Sequence, residues 1–317
     1  MAATSIDPHH AGGQPPPSSH YDIAPPGLFN FILLSFFFLR AALGWFLGYL
    51  VGFLPFREKK LARLHIKLFL PDVRAGTVTR RVFANAGRVV FESLSLKPLV
   101  KNHGRFILCQ NWEAVEGWKR EDRPIIALTA HTGNWDLLAA YVIARGIPLT
   151  TVGREARNRY AQVALQSIRS GYGIETVWRS DRAALKRLMQ CLQERRVIAA
   201  LIDQDTRVES VSVPFFGQAA KTPVSLIRLG KKYNARFVSA FLFKTGWFSY
   251  SVFVEQLPDV TNDYEILSEY NRRLESYIRQ FPDQWVWFHK RWRTRPDGVT
   301  LSSKEYLNKL QAQVLEG

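Results

Sequence analysis

The stretch Ile125-Ile126-Ala127-Leu128-Thr129-Ala130-His131-Thr132-Gly133-Asn134-Trp135-Asp136 decides the fold. Its first six residues carry no charge and include two β-branched isoleucines and a threonine, the pattern of a buried strand. Thr132-Gly133-Asn134 supplies a turn. Asn134 is a good N-cap for the apolar run that follows, so the segment predicts strand, turn, helix. The same alternation continues outward. Strands are expected at residues 106–109, 125–130, 149–152, 197–202, 237–243 and 250–254. Helical patterns fall at 134–145, 156–170, 183–194, 223–233, 263–280 and 303–315. Alternation of this kind predicts an α/β fold with a mostly parallel sheet flanked by helices. No internal repeat interrupts it.

Upstream the character changes. Residues 1–26 are rich in Pro, Gly, Ser and His, lack Lys and Arg, and predict a disordered tail. Residues 27–56 form one apolar segment, and between 28 and 54 Arg40 is its only formal charge. That length suits a membrane helix and exceeds the apolar core of a signal peptide. About 13 large apolar residues in a window of about 20 contribute on the order of −4 to −8 kcal/mol to insertion, against about +3 for a central Arg. Spanning is therefore expected, and a helix lying in the interface with Arg40 snorkelling outward is the rival geometry. Gly44, Gly48 and Gly52 share one helix face. Such a stripe either admits close helix packing or reflects the ordinary abundance of Gly in membrane helices. Arg57, Lys59, Lys60 and Arg63 follow at once. With a tail devoid of basic residues before the helix, the positive-inside rule puts the rest of the chain in the cytoplasm. The expected division is tail 1–26, anchor 27–56, α/β domain 57–300 and a C-terminal helix within 301–317.

The chain has 317 residues and a net charge of +16. Such a charge constrains partners rather than fold: anionic lipid, nucleic acid or an acidic protein would each suit it. Two cysteines, Cys109 and Cys191, are too few for a disulfide scaffold or a Cys-based zinc site, and both sit in apolar runs that predict packing. The histidines show no metal-ligand spacing, so neither metal nor cofactor is expected.

The chemistry gathers after the strand at 125–130. Ligands in α/β sheets collect at the carboxyl ends of strands, where His131 stands. Residues five apart on one helix point about 140° away from each other, so His131 and Asp136 can meet only if His131 lies in the turn. A neutral His is suited to take a proton from a hydroxyl near pH 7, and a carboxylate on its other ring nitrogen would fix the tautomer. Asp136 is the expected orienting carboxylate. Given 7 His and 27 acidic residues, this spacing arises by chance about 0.6 times, so it decides nothing alone. No G-x-S-x-G elbow occurs, which argues against a Ser nucleophile.

Further motifs follow in order. They are Val152-Gly153-Arg154, Asp203-Gln204-Asp205, Val213-Pro214-Phe215-Phe216-Gly217 and Lys221-Thr222-Pro223, then the Trp- and Arg-rich run from Gln284 to Pro296. Together with His131 and Asp136, they resemble the lipid A biosynthesis acyltransferases, a branch of the glycerolipid-type H-x4-D/E acyltransferase superfamily. The resemblance covers residues 28–296. It implies an acyl carrier protein thioester as donor and a lipid A precursor as acceptor. A related branch acylates mannosylated phosphoinositides and shares these motifs. His131 and Asp136 would be catalytic. Arg154, after a strand and a Gly, would hold phosphate through its bidentate fork. Asp203, ending another strand, would hold acceptor sugar or Arg154. Backbone N–H groups of Gly133 and Asn134 would face the oxyanion. The implied location is the inner membrane, single-pass or monotopic, with the domain facing the cytoplasm. An acidic carrier protein and an anionic lipid surface both suit the basic charge.

Two other classes remain open to test. A membrane-anchored nucleic-acid-binding protein would use the Trp/Arg run at 285–295 as a stacking platform. A hydrolase would use the same His and carboxylate with water.

Overall fold

The computed structural model describes residues 27–156 and 158–316; the reading of residues 1–26 as a tail lies outside them. The amino-terminal part is helical: α1 (Leu28–Val51), α2 (Arg57–Phe69), α3 (Ala75–Ser93), α4 (Lys97–Lys101) and α5 (His103–Phe106). The α/β alternation then runs β1 (Ile107–Cys109), α6 (Trp112–Arg120), β2 (Ile125–Thr129), α7 (Trp135–Ala144), β3 (Leu149–Gly153) and α8 (Arg159–Ser170). It continues with β4 (Glu175–Trp178), α9 (Ala184–Gln193), β5 (Val197–Leu201), β6 (Ser210–Phe215), β7 (Gln218–Pro223) and α10 (Ser225–Lys232). The last elements are β8 (Arg236–Lys244), β9 (Tyr250–Gln256), α11 (Asp263–Gln280) and α12 (Ser303–Glu316).

Seven strands form the main sheet in the order β1-β9-β8-β2-β5-β3-β4. The five from β8 to β4 are parallel, while β9 runs antiparallel to β8 and carries β1 parallel to itself. The expected α/β class with a mostly parallel sheet is the observed one. Each face of the sheet packs its own core, because alternate residues of a strand point to opposite sides. Ile126 and Leu128 join α9, α10, α11 and the C-terminal aromatics. Ile125 and Ala127 join α4, α7 and Phe37 of α1.

The edge strand β4 escaped the sequence reading because its four residues, Glu175-Thr176-Val177-Trp178, form too short and polar a run to signal a strand. The antiparallel pair β6–β7 turns on Phe216 and Gly217, both at positive φ (51° and 71°). That is the conformation of a two-residue hairpin turn, for which Gly217 carries no steric penalty.

The helix α1 packs along the domain rather than standing clear of it. Leu34, Phe37, Ala41, Gly44 and Gly48 form its buried stripe. Its glycines lie against α3: a Cβ on Gly48 would stand 2.2 Å from the Phe83 carbonyl oxygen, and one on Gly87 2.3 Å from that of Gly44. Of the two readings of the stripe, close packing is the one observed. The Arg40 guanidinium donates to the Ser95 carbonyl at 3.2 Å.

At the other end of the chain, α12 docks on α2 through a buried imidazole. His65 Nδ1 lies 2.7 Å from the Trp287 carbonyl, which can only accept, so Nδ1 carries the proton. Nε2 then accepts from the Tyr306 hydroxyl at 2.8 Å. Burial holds the His65 pKa down at about 4, partly opposed by the Trp287 hydrogen bond.

Two predictions follow from this packing. Gly48→Leu should loosen α1 from α3 and lower stability by about 1–3 kcal/mol, as overpacking does, read as a lower thermal midpoint in detergent. The depressed His65 pKa means that its stabilising contribution is complete above pH 6.5 and is lost as pH falls toward 4. Urea unfolding should show a loss on the order of 3 kcal/mol from this group across that window. His65→Gln should flatten that part of the pH profile.

Candidate active site

The sheet order builds the site. Strands β2 and β5 are parallel neighbours with Thr129 beside Leu201, so two residues further along each chain His131 stands beside Asp203. The Asp203 carboxylate accepts three hydrogen bonds: from His131 Nδ1 at 2.8 Å, from the His131 backbone N–H at 2.9 Å and from the Trp285 indole at 2.8 Å. Asp203 is fully buried, whereas the His131 side chain keeps 22% of its surface exposed. Burial alone would raise the Asp203 pKa, but the His131 imidazole, its hydrogen bonds and the Trp285 N–H together hold it at about 2. An ionised carboxylate can only accept, so the His131 proton facing Asp203 sits on Nδ1, and in the neutral imidazole the lone pair is the one on Nε2. Trp135 stands edge-on to the imidazole with ring centroids 5.0 Å apart, and the Gln204 amide reaches no closer than 3.5 Å to Nε2.

Asp136 occupies a different place from the expected one. It lies in the first turn of α7 and accepts from Arg169 Nε of α8 at 2.9 Å, with both side chains nearly buried. The carboxylate on the second ring nitrogen of His131 is therefore Asp203, and Asp136 ties α7 to α8. Asp203 on β5 holds the His131 ring, while Arg169 of α8 holds the Asp136 carboxylate, and His131 and Asp136 both line the same cavity.

The turn residues are also committed. Asn134 is the expected N-cap, accepting from Leu137 N–H at 3.0 Å, and its amide donates to the buried Glu92 carboxylate at 2.9 Å. The Gly133 N–H donates to the Gln284 carbonyl at 2.9 Å. Gly133 has φ +49°, and a Cβ there would stand 2.1 Å from the Leu242 carbonyl oxygen, so glycine is required. Gly133 through its N–H and Asn134 through its side chain thus hold the loop beside His131. Glu92 also accepts from Tyr250 at 2.6 Å and lies 3.7 Å from Arg88. Nothing in the sequence pairs Glu92 with Asn134, because 42 residues and several elements separate them.

A cavity of about 1470 Å³ opens beside His131. Arg154 lies at its mouth, at the end of β3. Arg179 follows β4 directly opposite, since Gly153 pairs with Trp178, and it also lines the cavity. Burial, and then the charge of Arg154, lower the Arg179 pKa. Arg207, Lys290 and Arg293 add further positive charge to the lining. Inward, one part of the cavity runs between the sheet and α7. Small side chains leave that room: Ala127 of β2, Ala199 of β5, Ala240 of β8 and Ala139 of α7. Trp112, Val115 and Trp118 of α6 lie at its far end beside Ile125. From His131 to Ile125 is six residues of extended chain, about 20 Å of depth. The site thus combines a basic mouth, an oriented imidazole and a deep apolar recess.

The Trp- and Arg-rich segment closes the fold. Trp285, Trp287 and Trp292 are buried, and buried Arg291 donates to the Lys221 carbonyl at 2.5 Å and the Thr222 hydroxyl at 2.6 Å. These rings are not a surface platform for bases. Phe215 and Phe216 pack with them, Phe215 stacking on Trp292 with centroids 5.6 Å apart. Asp205 binds the Thr294 backbone N–H at 2.9 Å and its hydroxyl at 2.7 Å. His289 lines the cavity with its pKa held near 4, chiefly by burial against the opposing pull of Asp203. Among the described residues, no His, Cys, Asp or Glu cluster is placed to hold a metal ion.

Comparison with known proteins adds independent support. The sequence profile of bacterial lipid A biosynthesis acyltransferases matches residues 27–294. A lipid A biosynthesis acyltransferase of Haemophilus influenzae is 25% identical over 289 residues, covering 87% of this chain and 89% of that protein. The lipid A biosynthesis myristoyltransferase of Escherichia coli K12 is 23% identical over 263 residues, 80% of each chain. A phosphatidylinositol mannoside acyltransferase of Mycolicibacterium smegmatis is 23% identical over 188 residues, 57% of this chain and 59% of its own length. With the profile spanning the apolar N-terminal helix, the sheet and the Trp-rich closure alike, this chain belongs to the bacterial lipid A biosynthesis acyltransferase family and is an acyltransferase.

Proposed function

We propose that this enzyme moves a fatty acyl chain from an acyl carrier protein thioester to a hydroxyl of a lipid A precursor, at the cytoplasmic face of the inner membrane. The observation that carries this reading is the free Nε2 of His131, backed by buried Asp203, at the junction of a basic mouth and an apolar recess. The acceptor O–H gives its proton to Nε2 as its oxygen bonds to the thioester carbonyl carbon. Asp203 stabilises the imidazolium that results. The tetrahedral adduct collapses, the C–S bond breaks, and Nε2–H returns the proton to the departing sulfur. Atoms and charge balance without a metal or cofactor.

The remaining residues support this division of labour. The acyl chain would lie between the sheet and α7, where alanines on three neighbouring strands leave space. Arg154 would hold acceptor phosphate, with the basic mouth also favouring an acidic carrier protein. Asp136 would act through Arg169 by fixing the first turn of α7, as a positioning residue. A second reading keeps the same chemistry and changes the acceptor to a mannosylated phosphoinositide, on the strength of the mycobacterial relative.

The deciding experiment offers the purified protein a long-chain acyl carrier protein thioester with each acceptor in turn. Transfer to the lipid A precursor supports the first reading, and transfer only to the phosphoinositide supports the second. Fatty acid release that ignores the acceptor would mark a hydrolase and end both. His131→Ala should lower kcat at least about 10²-fold, as loss of a general base does. Asp203→Asn should lower kcat comparably, whereas Asp136→Asn should cost less than about tenfold, with a lowered thermal midpoint. Ala127→Phe should fill the recess and shift preference toward shorter acyl donors, read by competition between donors of different length.

A further inference from the structure

The strongest unexplained feature of the surface is the turn between β8 and β9. Trp247 at its tip is 88% exposed and Phe248 56% exposed. A soluble protein does not ordinarily present adjacent large aromatics at a loop tip without a partner. The turn is nonetheless well built. Thr245 and Gly246 N–H groups both donate to the Ser249 carbonyl, at 3.0 and 3.2 Å, and the Thr245 and Ser251 hydroxyls lie 3.0 Å apart.

The turn is continuous with the apolar side of α1. The Phe248 ring packs on Phe38 of α1 with centroids 4.6 Å apart, and Phe38 packs in turn on Phe106 at 5.5 Å. Beside these contacts, α1 exposes Phe29, Phe31, Phe36 and Leu39, and β1 exposes Leu108. Lys97, Lys101 and Arg105 are exposed on the adjoining α4 and α5. An aromatic tip beside an apolar helix face and a basic flank is the arrangement that suits a lipid interface.

The turn also belongs to the catalytic edge of the sheet. Strand β8 is the parallel neighbour of β2, so residues 245–249 leave the same edge as His131. The two are coupled through one residue, Gln284, by its side chain on one side and its backbone carbonyl on the other. Gln284 accepts from the Lys244 N–H at 2.9 Å and donates to the Lys244 carbonyl at 2.8 Å, while its own carbonyl accepts from the Gly133 N–H at 2.9 Å.

We propose that Trp247 and Phe248 insert into the bilayer interface together with the exposed side of α1, turning the His131 edge of the sheet toward the membrane. The domain then does not hang from its anchor on a free linker. It is seated at two points, and a lipid acceptor reaches Nε2 laterally from the bilayer without leaving it. The lipid nature of the acceptor rests on the proposed function; the seating does not.

The test places an environment-sensitive fluorophore on Trp247→Cys in the full-length chain carrying Cys109→Ala, with buried Cys191 left in place. Vesicles of phosphatidylcholine and phosphatidylglycerol are the probe. On vesicle binding, the label should shift to the blue, be quenched by spin-labelled lipid and lose access to aqueous iodide. A label that stays fully open to iodide while the protein floats with the vesicles through α1 would overturn the proposal. Protection that needs no lipid and grows with protein concentration would assign the tip to a second copy, and would overturn it equally. Neither readout depends on turnover, so an inactive but inserted protein would sink the acyl-transfer reading and leave the seating intact.

Discussion

The structure depends on one register, that of β2 against β5. It sets His131 beside Asp203 and so places a fully buried carboxylate directly behind a half-open imidazole. A buried charge is costly unless every lone pair finds a donor. Here two donors come from His131 and one from Trp285, which is why the Trp-rich segment must fold back into the core. Tyr270 of α11 donates to the Thr129 carbonyl at 2.7 Å, bracing the end of the same strand. The Gly133 loop is held from both sides, by Leu242 packing and by Gln284. Removing any of these supports would leave Asp203 short of a donor or let the imidazole turn.

The same edge distributes charge. Reading across the parallel strands, the turn after β8 comes first, then His131, Asp203, Arg154 and Arg179. Apolar aromatics stand at one end and paired guanidiniums at the other. A lipid with a charged head and an apolar body is complementary to that gradient. Beneath it, the small side chains of Ala127, Ala199 and Ala240 on β2, β5 and β8 leave a recess that larger core residues would fill. The net charge of +16 thus has a local counterpart, because Arg154, Arg179, Arg207, Lys290 and Arg293 gather along the cavity beside fewer carboxylates, Glu58, Glu155 and Asp205 among them.

How far this was legible in the sequence follows from what each residue needed. His131 was legible because a charge-free strand, a turn and an N-cap are local signals, and Asn134 caps α7 as those signals require. Its carboxylate partner was not, because strand order is not written locally. Asp136 is five residues away and turns to Arg169; Asp203 is 72 residues away and adjacent, since β5 inserts between β2 and β3. Glu92 was invisible for the same reason. The glycine stripe of α1 was visible as a pattern, but its partner Gly87 sits in a helix whose charges concealed an apolar face. The aromatic tip at Trp247 left no signal, because a lone Trp-Phe pair in a turn resembles core residues until exposure is known.

The most direct test of the account is the protonation state of His131, read by ¹⁵N NMR of the imidazole in the neutral enzyme. The expected spectrum shows a proton on Nδ1 and a bare Nε2, unchanged in Asp136→Asn and lost or mixed in Asp203→Asn. A tautomer that shifts with Asp136→Asn and survives Asp203→Asn would contradict it, and would return the orienting role to Asp136.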